Sequence, residues 1–78
     1  MPQIFREKGW VASFYSNERN EPVHVHLRKG GGEAKFWVRP VALAMSEGLK
    51  VKELAEAEAL VAKHAIEILR KWNEHFSH

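Results

Sequence analysis

Two alternating runs on either side of three consecutive glycines constrain this chain more than any other feature. Val23-His24-Val25-His26-Leu27-Arg28 alternates apolar and polar side chains strictly, and Glu33-Ala34-Lys35-Phe36-Trp37-Val38-Arg39 follows the same period with Trp37 on its polar side. Successive side chains of a strand point to opposite faces, so each run reads as a half-buried strand. Lys29-Gly30-Gly31-Gly32 between them reads as a hairpin turn, because glycine reaches positive φ without steric cost. Closing the hairpin assigns the faces. Val23, Val25 and Leu27 share one side with Ala34, Phe36 and Val38, while His24, His26 and Arg28 share the other with Glu33, Lys35, Trp37 and Arg39. The first side is core. The second carries whatever chemistry the chain has.

The flanking segments extend the sheet. Residues 2–7 alternate weakly and predict a first strand, with Lys8-Gly9 as a tight turn. Trp10 to Ser16 is rich in aromatic and β-favouring residues and predicts a second strand, with Trp10, Ala12 and Phe14 facing the core and Ser13 and Tyr15 beside the histidines. Asn17 to Pro22 is a polar connection, Pro40 ends the fourth strand, and Val41 to Met45 alternates again as a short fifth. From about Val51 the period becomes helical: Leu54, Ala57, Val61, Ala65, Ile68, Leu69, Trp72 and Phe76 recur at three- and four-residue steps. Neither Lys50 nor Val51 is a capping residue, so the first helical turn is expected to fray. His64, His75 and His78 are expected to be solvated. The expected architecture is α+β: an antiparallel sheet of four strands, or five, packed on one long C-terminal helix. It forms a single domain over residues 1–78, with strands within 2–46 and the helix at about 51–77.

Composition narrows the class of function. With 78 residues the chain hides only roughly 60% of its unfolded surface, so its stability margin is thin. It has no cysteine, which excludes disulfides and thiolate metal sites and fits a reducing compartment. No apolar run approaches the ~18 residues of a membrane span and the first residues soon meet charge, so a soluble, cytoplasmic protein with no membrane partner is expected. Charge is uneven. Residues 1–51 hold eight Lys/Arg against five Glu, and residues 52–78 four against five. A polyanion would therefore meet the first half.

On the polar face, His24, His26 and Tyr15 are the candidate catalytic residues, and Arg28, Lys35, Trp37 and Arg39 the candidate nucleic-acid contacts. Cleaving RNA without a metal needs a base for the 2′-hydroxyl proton, an acid for the leaving oxygen and cations for the phosphate. Imidazoles suit the first two tasks, Arg or Lys the third. Trp37 and Tyr15 can stack unpaired bases. No cofactor is called for. Three other readings stay open. The histidines are solvated residues on an open face. Alternatively, His24 and His26 bind a metal, with a third ligand from Glu33, Glu18, Glu21 or Tyr15. Or the chain is a non-enzymatic module whose edge strands and three tryptophans hold a protein partner or a second copy of itself.

Phe14-Tyr15-Ser16-Asn17-Glu18, Asn20-Glu21-Pro22, His24-Val25-His26, Gly32-Glu33-Ala34-Lys35-Phe36-Trp37 and Trp72-Asn73-Glu74, in that order, resemble the bacterial domain-of-unknown-function 4160 family. Val23 and Lys50 depart from its pattern, where a second Pro and a Ser or Thr cap are common. The resemblance implies a short protein encoded beside another small protein, in an arrangement similar to a two-gene toxin–antitoxin module. It leaves open whether this chain is the toxin or the antitoxin.

Overall fold

The structure, a computed structural model, describes residues 3–15 and 20–76. Expectations placed on Pro2, on Ser16 to Arg19 and on His78 lie outside the described residues. Five strands run in chain order: β1 (Gln3–Glu7), β2 (Trp10–Ser13), β3 (His24–Lys29), β4 (Gly32–Val38) and β5 (Val41–Glu47). They form one antiparallel meander in the order β1-β2-β3-β4-β5. Two helices follow, α1 (Val51–Lys63) and α2 (Ala65–Phe76). The α+β class is as the periodicity predicts.

Register follows the turns. Lys8 and Gly9 both take positive φ, which sets Glu7 opposite Trp10 and Phe5 opposite Ala12. In the glycine turn Gly32 serves a purpose other than φ. It is buried, and a Cβ there would lie 2.7 Å from the Gly48 carbonyl oxygen and against the Leu49 side chain. Gly32 therefore lets the chain after β5 cross close to the start of β4. Across β3 and β4, Val25 pairs with Phe36 and Leu27 with Ala34, while His24 pairs with Trp37, His26 with Lys35 and Arg28 with Glu33. The hairpin parity read from the alternation is the observed one.

The core lies between the sheet and the helices. Trp10, Ala12, Phe14, Val25, Leu27, Ala34, Phe36 and Val38 are buried on one sheet face, against Ala57, Leu60, Val61 and Ile68. Leu54, Ala65, Leu69, Trp72 and Phe76 pack on its margin, as their three- and four-residue spacing requires. The buried Trp10 indole N–H donates to Glu56 Oε1 (2.7 Å), which also receives Lys29 Nζ (3.1 Å).

Three local expectations are corrected. The single long helix is two, interrupted at His64, where φ is −102° and ψ is 14°. His64 is not solvated: its ring stacks on Phe5 (4.0 Å), Nε2 faces Glu7 Oε1 (2.8 Å) and Nδ1 faces Glu67 Oε1 (3.0 Å). Turning the ring onto β1 distorts the helix there, although Ile68 N–H still bonds the His64 carbonyl (2.9 Å). Third, the first turn of α1 is not left open, because the Glu53 carboxylate accepts the Lys50 backbone N–H (2.8 Å).

Candidate functional site

Strand pairing lays the polar face out in rows. One row runs Arg6, Val11, Arg28, Glu33, Glu47 from β1 to β5, and the next runs Gln3, Ser13, His26, Lys35, Met45. A third begins at His24 and continues through Trp37 to Ala42. The alternation that buries Leu27 and Ala34 thus gathers His26, Ser13, Arg28, Glu33 and Lys35 on the opposite side.

His26 is the best-organised of them. Its Nδ1 lies 3.3 Å from Glu33 Oε2, and the same oxygen accepts the Tyr15 hydroxyl at 2.8 Å. The Tyr15 ring stacks on the imidazole, with centroids 3.7 Å apart and planes 10° from parallel. Both the stack and the shared carboxylate fix the ring's orientation. A carboxylate only accepts, so Nδ1 donates to it. Opposite His26 on β2, the Ser13 hydroxyl is buried and has no hydrogen-bond partner among the described residues.

His24 differs from its neighbour. It is fully buried, where the alternation suggests an open face. Its Nδ1 donates to the Pro22 carbonyl (2.9 Å) and lies 3.8 Å from Glu21 Oε1. Trp37, Trp72 and His26 enclose it edge-on, at centroid distances of 5.7, 5.1 and 5.4 Å. The wet face expected around both histidines is therefore covered at His24 and nearly covered at His26. The cause is aromatic packing, part of it from α2.

The cations divide by position. Arg28 is exposed two residues from His26, and Lys35 is held by Glu21 (2.6 Å) over the Trp37 ring (4.7 Å). That ring face is thus occupied by a lysine rather than open to a base. Arg39 is exposed in the turn after β4, at the far end of that strand from Glu33. It does not join the cluster. Arg6, by contrast, stands in the same row as Arg28. The Lys8-Gly9 turn carries the signal for it, since pairing Glu7 with Trp10 fixes Arg6 opposite Val11. Two adjoining grooves meet at Val11. One of about 270 Å³ is lined by Gly9, Val11, Arg28, Lys29 and Gly30, the other of about 260 Å³ by Arg6 to Val11. Arg28, Lys29, Arg6 and Lys8 all border them.

Away from this face, three carboxylates sit below their usual range. Glu7 is lowered first by the Lys63 hydrogen bond and then by His64, Glu67 first by His64, and Glu56 first by the Trp10 indole and then by Lys29. Among the described residues no three His, Cys, Asp or Glu side chains are grouped to hold a metal ion. No described helix is long and apolar enough to cross a membrane.

The sequence pattern of a known family matches residues 9–73, which takes in β2 through most of α2. The chain belongs to the family described as domain of unknown function DUF4160. No curated protein and no solved structure matches it. Membership agrees with the resemblance carried by the ordered motifs. The matched span contains the His-Val-His strand, Tyr15, Arg28, Glu33 and Trp72, while Arg6 on β1 lies outside it.

Proposed function

We propose that this DUF4160 protein binds single-stranded RNA along the Arg6–Val11–Arg28 side of its polar face and cleaves it without a metal at His26. The observation that carries the reading is the imidazole of His26, oriented by the Glu33 carboxylate and the Tyr15 ring, one row from Arg28. A carboxylate-oriented imidazole suits general base work, and arginines in an open groove suit phosphates. In the proposed step His26 removes the 2′-hydroxyl proton, the 2′ oxygen attacks phosphorus, and the P–O5′ bond breaks. The Tyr15 hydroxyl gives its proton to the leaving 5′ oxygen and is reprotonated through His26, leaving a 2′,3′-cyclic phosphate. Arg28 and Arg6 hold phosphate oxygens, with Lys35 and Arg39 as outlying cations and Trp37 as a stacking surface once Lys35 swings away. His24, being enclosed, positions His26 rather than touching substrate.

The setting is the one the resemblance implies: a cytoplasmic protein of a toxin–antitoxin-like gene pair. Incubating purified protein with a labelled RNA tests the reaction. Cyclic-phosphate ends are expected from wild type, with a loss of at least roughly a hundredfold in His26→Ala, within the range general acid–base groups contribute. Equal and negligible cleavage by both proteins overturns the enzymatic part and leaves binding to be judged alone. A His-x-His metal site is the weaker reading, because the two Nδ1 atoms turn to different acceptors, the Pro22 carbonyl and Glu33. The neutralising, partner-binding reading draws on exposed Leu43 and Met45 along β5.

A further inference from the structure

The two edges of the sheet differ in kind. At β1 the edge is irregular, with a register shift between Gln3 and Phe5, and Lys71 of α2 donates to the Ile4 carbonyl (2.9 Å). A bulge and a covering side chain are the usual means of blunting an edge. β5 is the opposite case. It is seven residues long, mostly exposed, and contains no Lys, Arg or Pro. Leu43 and Met45 are 45% and 60% exposed, and among the described residues no backbone group outside β4 bonds to it. It carries a one-residue bulge at Ala44, as β1 does at Ile4, but among the described residues no side chain bonds over it as Lys71 does over β1.

Charge along this edge is polar. Before β5 stands Arg39, exposed and without an ion pair among the described residues. Its far end holds Glu47, directly across from Glu33. Two carboxylates opposite each other in a ladder repel. They flank a shallow pocket of about 90 Å³, lined by Glu33, Ala34, Lys35, Met45 and Glu47. Within one chain Arg39 cannot relieve them, since six residues of strand put it roughly 20 Å away.

We infer that β5 pairs antiparallel with β5 of a second copy of this chain, bringing Arg39 of that copy to the Glu33/Glu47 pocket. Antiparallel pairing is what the charges select. It sets the arginine end of each strand beside the carboxylate end of the other, at both ends at once, whereas a parallel copy sets like against like. Arg39 of the second copy lies about two residues past the end of its strand, and an arginine spans the ~5 Å between neighbouring strands. A guanidinium offers its fork of donors to two carboxylates. Leu43 stands opposite the core residue Phe36 and Met45 opposite Lys35, so each face of the seam receives one apolar side chain from each copy. The dimer thus delivers to the Glu33 end of the site the cation that the single chain holds at the opposite end. Pairing of this kind is independent of any action on RNA.

Sedimentation equilibrium over roughly 5 to 500 μM tests it, with circular dichroism melts to certify the fold of each variant. Wild type is expected to dimerise. Arg39→Glu and Glu47→Arg, both at exposed positions, are each expected to weaken the dimer about tenfold or more, and the double exchange to recover most of the loss. Met45→Lys is expected to abolish association while leaving the circular dichroism spectrum of the folded monomer unchanged. A wild-type protein that stays monomeric overturns the inference. So does a dimer indifferent to Met45→Lys, or one that the double exchange fails to restore.

Discussion

His24 and His26 sit two residues apart on one strand and have unlike surroundings. His24 is sealed among Trp37, Trp72 and His26, with its Nδ1 on the Pro22 carbonyl. Truncating it opens a void in aromatic packing and strands a carbonyl, so His24→Ala is expected to cost roughly 2–4 kcal/mol by urea unfolding. Tyr15→Phe keeps the stack on His26 and removes only the hydroxyl on Glu33, so roughly 0.5–1.5 kcal/mol is expected. Equal losses in the two variants would mean that enclosure is not what distinguishes His24. The side on which each residue falls is legible in the sequence, because the hairpin partners are only a few residues away and period two fixes their faces. That His24 is buried is not, because Trp72 arrives from the last helix and nothing in the local pattern announces it. Glu33 sits between these cases. Its parity is legible; its joint hold on His26 and Tyr15 depends on how β2 continues past Ser13.

The helical segment shows the same division. Its apolar stripe is readable, and every residue of the stripe packs on the core. The break at His64 is not, since residues 60–68 contain neither Gly nor Pro. It arises from a tertiary contact, a ring drawn onto Phe5 between Glu7 and Glu67. A neutral imidazole donates to one of these carboxylates and a protonated one to both. Glu7 and Glu67 are lowered in the folded chain, so the stability they contribute is fully present above the ordinary carboxylate value of about 4.5. It is lost as pH falls through their lower folded values. Wild type is therefore expected to lose stability below about pH 4.5, and Glu7→Gln/Glu67→Gln to lose less over the same interval. Urea midpoints measured at successive pH values check this, and parallel curves for the two proteins would contradict it. At the other end of the sheet, Gly32→Ala must displace Leu49 or the Gly48 backbone. Its melt is expected to fall by several degrees, an overpacking cost of roughly 1–3 kcal/mol. The three glycines look interchangeable in sequence; the packing of the β5–α1 connection singles this one out.

At the scale of the molecule the polar face has a direction. Arg6 and Arg28 occupy one side of a row and Glu33 and Glu47 the other, with His26 beside the centre. A polyanion therefore meets cations at β1 to β3, while the β5 side asks for positive charge. The excess of Lys and Arg in the first 51 residues hints at this, but only the register turns a count into a direction. In the proposed function RNA lies along Arg6 and Arg28 next to His26. Fluorescence anisotropy with a single-stranded RNA, from 50 to 200 mM salt, tests it most directly on wild type and Arg6→Ala/Arg28→Ala. Binding is expected to weaken with salt, and the double variant to bind more weakly with a slope flatter by roughly 1.4 in log K against log salt, about 0.7 for each phosphate no longer neutralised. No binding at the lowest salt, or a double variant with wild-type affinity and slope, would contradict it.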